Sequence, residues 1–198
     1  LLSGQLAMQA QGYAAHWITL VIGGAAVTGL YAACLSIVAL CNPFLYGYFN
    51  LLTPKFVRVL RDGGQVALRR QAAVSTLFLA LVIGGFAVLI AFFGEWLLGL
   101  MFAAEDYRHA SGVLTVLAFA TFAGALGGPA NVALTAAEQG RSIAAISGSV
   151  CIAGTGLVFL LMAGWGLEAA AYGILVTEAA SSLAYWVLLH VQLPGERR

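Results

Sequence analysis

The feature that most restricts this chain is a near-unbroken succession of apolar windows, each about 20 residues long, with little polar sequence between them. Twenty apolar residues in a helix match the hydrocarbon thickness of a bilayer, and windows of that length recur along most of the chain. The overall balance agrees: 62% of the 198 residues are hydrophobic and 9% are charged, against about a quarter charged in an ordinary soluble domain. A water-soluble fold of this composition would aggregate. The expected class is therefore all-α, a polytopic membrane helical bundle in a single membrane domain spanning residues 1–198.

Apolar runs and their punctuation give about six transmembrane spans, at 1–23, 29–53, 71–93, 110–136, 142–163 and 168–192. The breaks between them are Gly23-Gly24 to Gly29, the charged stretch Lys55 to Arg70, Gly94 to His109, Glu138-Gln139-Gly140-Arg141, and Gly164-Trp165-Gly166. Within the third break, Glu95 to Ala104 reads as a short interfacial helix.

Arginine and lysine set the orientation, because loops rich in them stay on the cytoplasmic side. Lys55, Arg58, Arg61, Arg69, Arg70, Arg141, Arg197 and Arg198 fall on one side of the alternating spans, and Arg108 on the other. Both termini are then cytoplasmic, and the expected location is the cytoplasmic membrane, with multiple passes. Glu95, Glu105, Asp106 and Glu168 lie on the outer side, while Trp17, Trp96, Trp165 and Trp186 sit near span ends, where indole rings favour the headgroup level. The first residue is Leu, with no basic segment before the first apolar run. The chain reads as a fragment of something longer, and not as a signal peptide followed by a domain.

Few residues carry chemistry. Cys34, Cys41 and Cys151 lie inside apolar stretches with no Cys/His spacing, so they are read as small hydrophobes, and no metal or cofactor is expected. There is no Gly-x-Ser-x-Gly, no His-Glu-x-x-His and no Asp-x-Asp, which leaves no catalytic residue to name and points away from an enzyme. The basic residues cluster in one stretch and do not cover a face, so nucleic acid is not an expected partner.

The polar residues inside the spans are more informative. Glu178 lies deep in the sixth span, too far from either end for a short carboxylate to reach the interface. It faces a cavity or partner, or is a neutral carboxylic acid satisfied by a neighbouring helix. Ser181, Ser182 and Tyr185 follow it on one side. In the first span, Gln5, Gln9, Gly12, His16 and Thr19 form one stripe at helical spacing. His16 is either a proton carrier for coupled transport or a neutral, hydrogen-bonded imidazole.

Asn42-Pro43 falls within the second span, with Tyr46 and Asn50 on one face, and Gly127-Gly128-Pro129 with Asn131 interrupts the fourth. Pro43, Gly128 and Pro129 are candidate hinges of the broken-helix kind that transporters use, or simple kinks. Three small-residue rows suggest packing seams: Ala169, Gly173, Thr177 and Ser181; Ala145, Ser149 and Ala153; and Gly124-x-x-x-Gly128. The basic stretch of Lys55, Arg58, Arg61, Arg69 and Arg70 is a topology determinant and a candidate site for anionic or diphosphate headgroups.

Four stretches together resemble the multidrug, oligosaccharidyl-lipid and polysaccharide exporter superfamily, and within it the polysaccharide-type flippases. They are Thr28-Gly29-Leu30-Tyr31-Ala32-Ala33; Asn42-Pro43 with Pro54 before a basic stretch ending in Leu68-Arg69-Arg70; Leu97-Leu98-Gly99-Leu100-Met101-Phe102 with Tyr107; and Gly166-Leu167-Glu168-Ala169-Ala170-Ala171. The resemblance implies the C-terminal six-helix lobe of a two-lobe transporter, whose partners would be membrane lipids, a lipid-linked glycan substrate and the missing N-terminal lobe. It further implies flipping or export of lipid-linked oligosaccharide or polysaccharide precursors by alternating access, with the first two spans lining the cavity between lobes. Glu178, His16, Gln9, Asn42, Tyr46 and Asn131 are the candidate pathway or coupling residues. A multidrug or peptidoglycan-precursor exporter of the same superfamily is the nearest alternative, and a membrane-embedded glycan-modifying transferase or an assembly subunit is a further one.

Overall fold

The computed structural model describes residues 12–102 and 110–192, and these are almost entirely helical, with no strand among them. A first helix, α1, covers residues 12–23 and ends in a π-helical turn, Thr19–Gly23. Then follow α2 (Gly24–Val38), a 3-10 turn (Ala39–Cys41), α3 (Asn42–Met101), α4 (Ser111–Ala136), α5 (Gly140–Trp165) and α6 (Leu167–Gln192). Among the described residues, four helical runs are long and apolar enough to cross a membrane: Gly12–Met101, Ser111–Ala136, Gly140–Trp165 and Leu167–Gln192.

The first of these runs folds back on itself twice, and glycine makes both reversals. Gly24 has φ 77 and ψ −178, and Gly64 has φ 69 and ψ −167, a region of backbone space open in practice only to a residue without a Cβ. Ring contacts show the consequence. In a straight helix Phe44 and Phe78 would lie about 50 Å apart, yet their ring centroids are 6.3 Å apart, and those of Tyr48 and Phe78 are 5.2 Å apart. Likewise His16 and Tyr31 would be separated by about 22 Å, and their rings meet edge to face at 5.1 Å. Residues 12–23, 24–63 and 65–101 are thus three antiparallel segments, and α3 is a helical hairpin of two arms.

This hairpin corrects one expectation. The stretch Lys55 to Arg70 is not an extended loop, because helix continues through Pro54 and the charged residues and reverses at Gly64 alone. Leu, Arg, Gln and Val there are compatible with helix, and the charge marks departure from lipid, not the end of the helix. The second arm, at about 55 Å, exceeds the roughly 30 Å hydrocarbon core. Arg58, Arg61 and Asp62, at the end of the first arm, lie exposed near the hairpin's tip, with an Arg61–Asp62 contact of 3.1 Å at the surface. At the other end α3 runs on through Glu95 to Met101, so the described part of the expected interfacial helix is a continuation of α3, and residues 103–104 lie outside the described residues.

The fold centres on α4. It packs against α3 and α6 and against α2, while α5 packs on α6. Its buried side is rich in small residues, among them Ala118, Ala120, Ala125, Gly127, Ala130 and Ala133, which lets backbones approach where lipid gives no hydrophobic reason for helices to associate. One core cluster joins Tyr31, Cys34 and Ile37 of α2 to Leu114 and Leu117 of α4, and another joins Leu52, Phe56 and Leu68 of the hairpin to Leu134 of α4 and Tyr185 and Leu189 of α6. Large apolar side chains also point outward: Phe92 is 80% exposed, Ile152 78% and Leu81 74%. Helices that bury small residues and expose Phe, Ile and Leu are those of a membrane-embedded protein.

Candidate functional site

The glycines of α4 define a polar seam with α6. A Cβ on Gly127 would lie 2.7 Å from Cα of Ser182, so the two backbones meet there, and one on Gly124 would lie 2.5 Å from Glu178 Oε2. Gly128 points elsewhere, against the Phe49 ring of the first α3 arm. The expected Gly124-x-x-x-Gly128 row is therefore not one seam. Gly124 and Gly127 serve α6, and Gly128 serves α3.

Across that contact the chain satisfies polar groups helix to helix. Ser182 Oγ donates to the carbonyl of Ala123, Trp186 Nε1 donates to the carbonyl of Leu126 at 2.9 Å, and Thr76 Oγ1 from α3 reaches the same carbonyl at 3.5 Å. These acceptors bracket Ala125, whose carbonyl has lost its usual helical donor because Pro129 has no N–H. Buried Pro129 leaves the Ala125 carbonyl bare, and the carbonyls flanking it, of Ala123 and Leu126, accept from side chains of two neighbouring helices. Glu178, Ser182 and Trp186, at four-residue spacing, form the facing row. The Glu178 carboxyl group has no hydrogen bond or ion pair within the described residues, and its Oε2 lies over the bare Gly124 backbone.

The opposite side of α6 faces α5. Gly154 lies against Thr177, Gly173 against Leu161 and Val158, and Ser147 shares a 2.7 Å hydrogen bond with the Tyr185 hydroxyl. The Gly173–Thr177 part of the predicted α6 row is thus a packing seam. The predicted α5 row is not, since Ala145, Ser149 and Ala153 are exposed and the packed row is Ile143, Ser147, Gly154, Val158 and Met162.

The remaining candidates lie apart from Glu178. Gln9 is outside the described residues. His16 is half-buried on α1, with Nδ1 3.2 Å from the carbonyl of Gly12 and its ring on Tyr31. Asn42 and Pro43 are at the start of α3, after the 3-10 turn, and the Asn42 side chain caps nothing. Pro43 lies within the continuous helical segment 24–63, directly after the 3-10 turn; it cannot donate to the Ala39 carbonyl, which accepts from the Asn42 N–H instead. Asn131 is half-buried in α4, two residues past Pro129.

At 3.6 residues per turn the first arm of α3 divides into three sectors. Leu45, Leu52 and Phe56 face the core; Phe44 and Leu51 are exposed and apolar; and Asn42, Tyr46, Asn50 and Thr53 form a polar sector, separated by the exposed Val57 from Arg61. Tyr46 is 63% exposed, Asn50, Thr53 and Arg61 are exposed, and Asn42 is half-buried. Pro54 adds to it by leaving the Asn50 carbonyl without its helical donor. The sector adjoins Phe49, and through Phe49 it touches Gly128.

The basic stretch separates as well. Lys55, Arg58 and Arg61 are exposed on the first arm, whereas Arg69 and Arg70, on the second arm, border a cleft of about 420 Å³ with Trp186 and His190 of α6. Sequence reasoning placed Trp186 only at a membrane interface and did not single out His190. At the other end of the bundle, Glu95, Glu168, Thr115 and Tyr172 line a second cleft of about 320 Å³, where Glu168 Oε1 would lie 2.8 Å from a Cβ on Gly112. Among the described residues, no three His, Cys, Asp or Glu side chains come together as metal ligands would.

No family model, curated protein or solved structure matches this chain.

Proposed function

We propose that the chain is one lobe of a membrane transporter, a flippase or exporter of lipid-linked oligosaccharide or polysaccharide precursors working by alternating access. In this reading the run Gly12–Met101 crosses three times and α4, α5 and α6 once each. The six crossings have both ends on the cytoplasmic side, following the arginines.

The polar sector of the first α3 arm carries the proposal. Asn42, Tyr46, Asn50 and Thr53 lie along an arm whose other exposed sector is apolar. Exposed amide and phenol groups next to a lipid-facing sector are costly in hydrocarbon, so such a surface belongs against a water-filled cavity or a second lobe. The sector also leads toward the basic tip, where a diphosphate headgroup would meet Arg61. The glycan cargo follows from the sequence resemblance, with the lipid tail remaining in the bilayer. No covalent step is involved.

The test is thiol labelling in sealed vesicles. Cys34 and Cys41 are buried and Cys151 partly so, so a Cys151→Ser background carries Tyr46→Cys and Asn50→Cys. A membrane-impermeant maleimide is expected to modify both at rates near that of Arg61→Cys at the tip. Rates as low as that of Leu81→Cys, on an apolar face, would mean the sector faces lipid and would reject the proposal. Cargo is tested in proteoliposomes by protection of a fluorescent lipid-linked oligosaccharide from an external quencher.

A further inference from the structure

The cleft between the second arm of α3 and the end of α6 has two dissimilar walls. On α3, Val66, Arg69, Arg70 and Ala73 recur at three- and four-residue spacing and share one face. On α6 stand Trp186 and His190, one turn apart, with ring centroids separated by 5.9 Å and planes inclined by 47°. Both rings are fixed by backbone acceptors. The indole N–H donates to the Leu126 carbonyl at 2.9 Å, and His190 Nδ1 lies 2.8 Å from the carbonyl of Trp186, leaving Nε2 as the ring nitrogen a ligand can meet.

We infer that this cleft binds the phosphate headgroup of an anionic membrane phospholipid. The inference is independent of the transport proposal, since the cleft shares no residue with the polar sector. Two neighbouring guanidinium groups suit phosphate oxygens, which arginine meets with paired N–H donors. The rest of the lining is apolar or aromatic, matching the glycerol and first acyl carbons below a headgroup better than a freely hydrated anion. The location agrees: the site lies where an apolar helix gives way to the basic hairpin, with a tryptophan at the level indole rings prefer. Arg70 and His190 are exposed and Arg69 half-buried, so a headgroup can enter without displacing core residues.

The experiment is lipid binding to the full chain, released from detergent and followed by native mass spectrometry. Phosphatidylglycerol is titrated against phosphatidylcholine, with inorganic phosphate as a competitor. Phosphatidylglycerol should bind preferentially, and Arg69→Gln/Arg70→Gln should weaken it about thirtyfold. Arg58→Gln/Arg61→Gln, which removes the same charge from the other arm, should change it less than about threefold, as expected for diffuse surface attraction. Arg70→Gln alone, at an exposed position, should give about fivefold and guards against misfolding of the double variant. Equal losses in the two doubles would replace the site with general attraction to the basic tip. Equal binding of phosphatidylcholine, or displacement of the lipid by millimolar phosphate, would overturn the assignment to an anionic lipid.

Discussion

Replacing Gly127 by alanine tests the close approach on which the α4–α6 seam depends. The added Cβ would lie 2.7 Å from Cα of Ser182 and 2.6 Å from its Oγ, and the first of these is backbone that cannot rotate away. The helices must separate by about 1 Å to restore ordinary contact. Overpacking of this kind costs about 1–3 kcal/mol. The separation also stretches the bonds from Ser182 to the Ala123 carbonyl and from Trp186 to the Leu126 carbonyl, each worth about 0.6 kcal/mol in a membrane helix bundle. Destabilisation of about 2–4 kcal/mol should lower the melting temperature of the detergent-solubilised chain by about 5–15 °C. Gly156→Ala is the control, since nothing lies within 4 Å of a Cβ there and the residue is exposed. It should be neutral or stabilising by up to about 1 kcal/mol. Thermal unfolding followed by near-ultraviolet circular dichroism would decide, and coincident curves for the two variants would refute the argument that backbone contact holds α4 to α6.

Two further outcomes follow from the same geometry. Gly64→Ala places a Cβ on a residue at φ 69 and ψ −167, which costs about 1–3 kcal/mol; faster tryptic cleavage at Arg61 than in the parent chain is expected, and an unchanged rate would show that the turn tolerates a side chain. Glu178→Gln keeps the shape of the group against Gly124 while removing its capacity to ionise, so in the intact two-lobe protein oligosaccharide protection in proteoliposomes should fall at least tenfold while the melting temperature stays within about 3 °C, and full activity would leave Glu178 a packing residue.

What the sequence shows and what it hides divide along physical lines. Hydropathy reports which residues tolerate lipid and paired glycines mark turns, so the apolar windows and both reversals, at Gly23-Gly24 and at Gly63-Gly64, are legible. It does not report where a helix ends. The charged stretch from Lys55 to Arg70 reads as a break because it is polar, whereas the chain remains helical there except at Gly64. Small-residue spacing has a similar limit. It finds rows on which another helix can pack, but not whether one does: Ala145, Ser149 and Ala153 have suitable spacing and face outward. That Arg69 and Arg70 border one cleft with His190 lies beyond any local rule, because it depends on the hairpin bringing the second arm alongside the end of α6.

The glycine pair in α4 shows how far local spacing can mislead and what tertiary structure adds. Gly127 and Gly128 are consecutive, so their Cα–H directions differ by about 100° around the helix. One meets Ser182 of α6 and the other Phe49 of α3. The row containing Glu178 and the sector containing Tyr46 and Asn50 are far apart in sequence, yet both rest on two adjacent peptide units. Pro129 follows at once and removes the helical donor that would otherwise hold the Ala125 carbonyl. Pro129 in α4 and Pro43, just past the 3-10 turn of segment 24–63, each remove one interior helical bond, and of the two only the Gly127-Gly128-Pro129 stretch touches both polar surfaces.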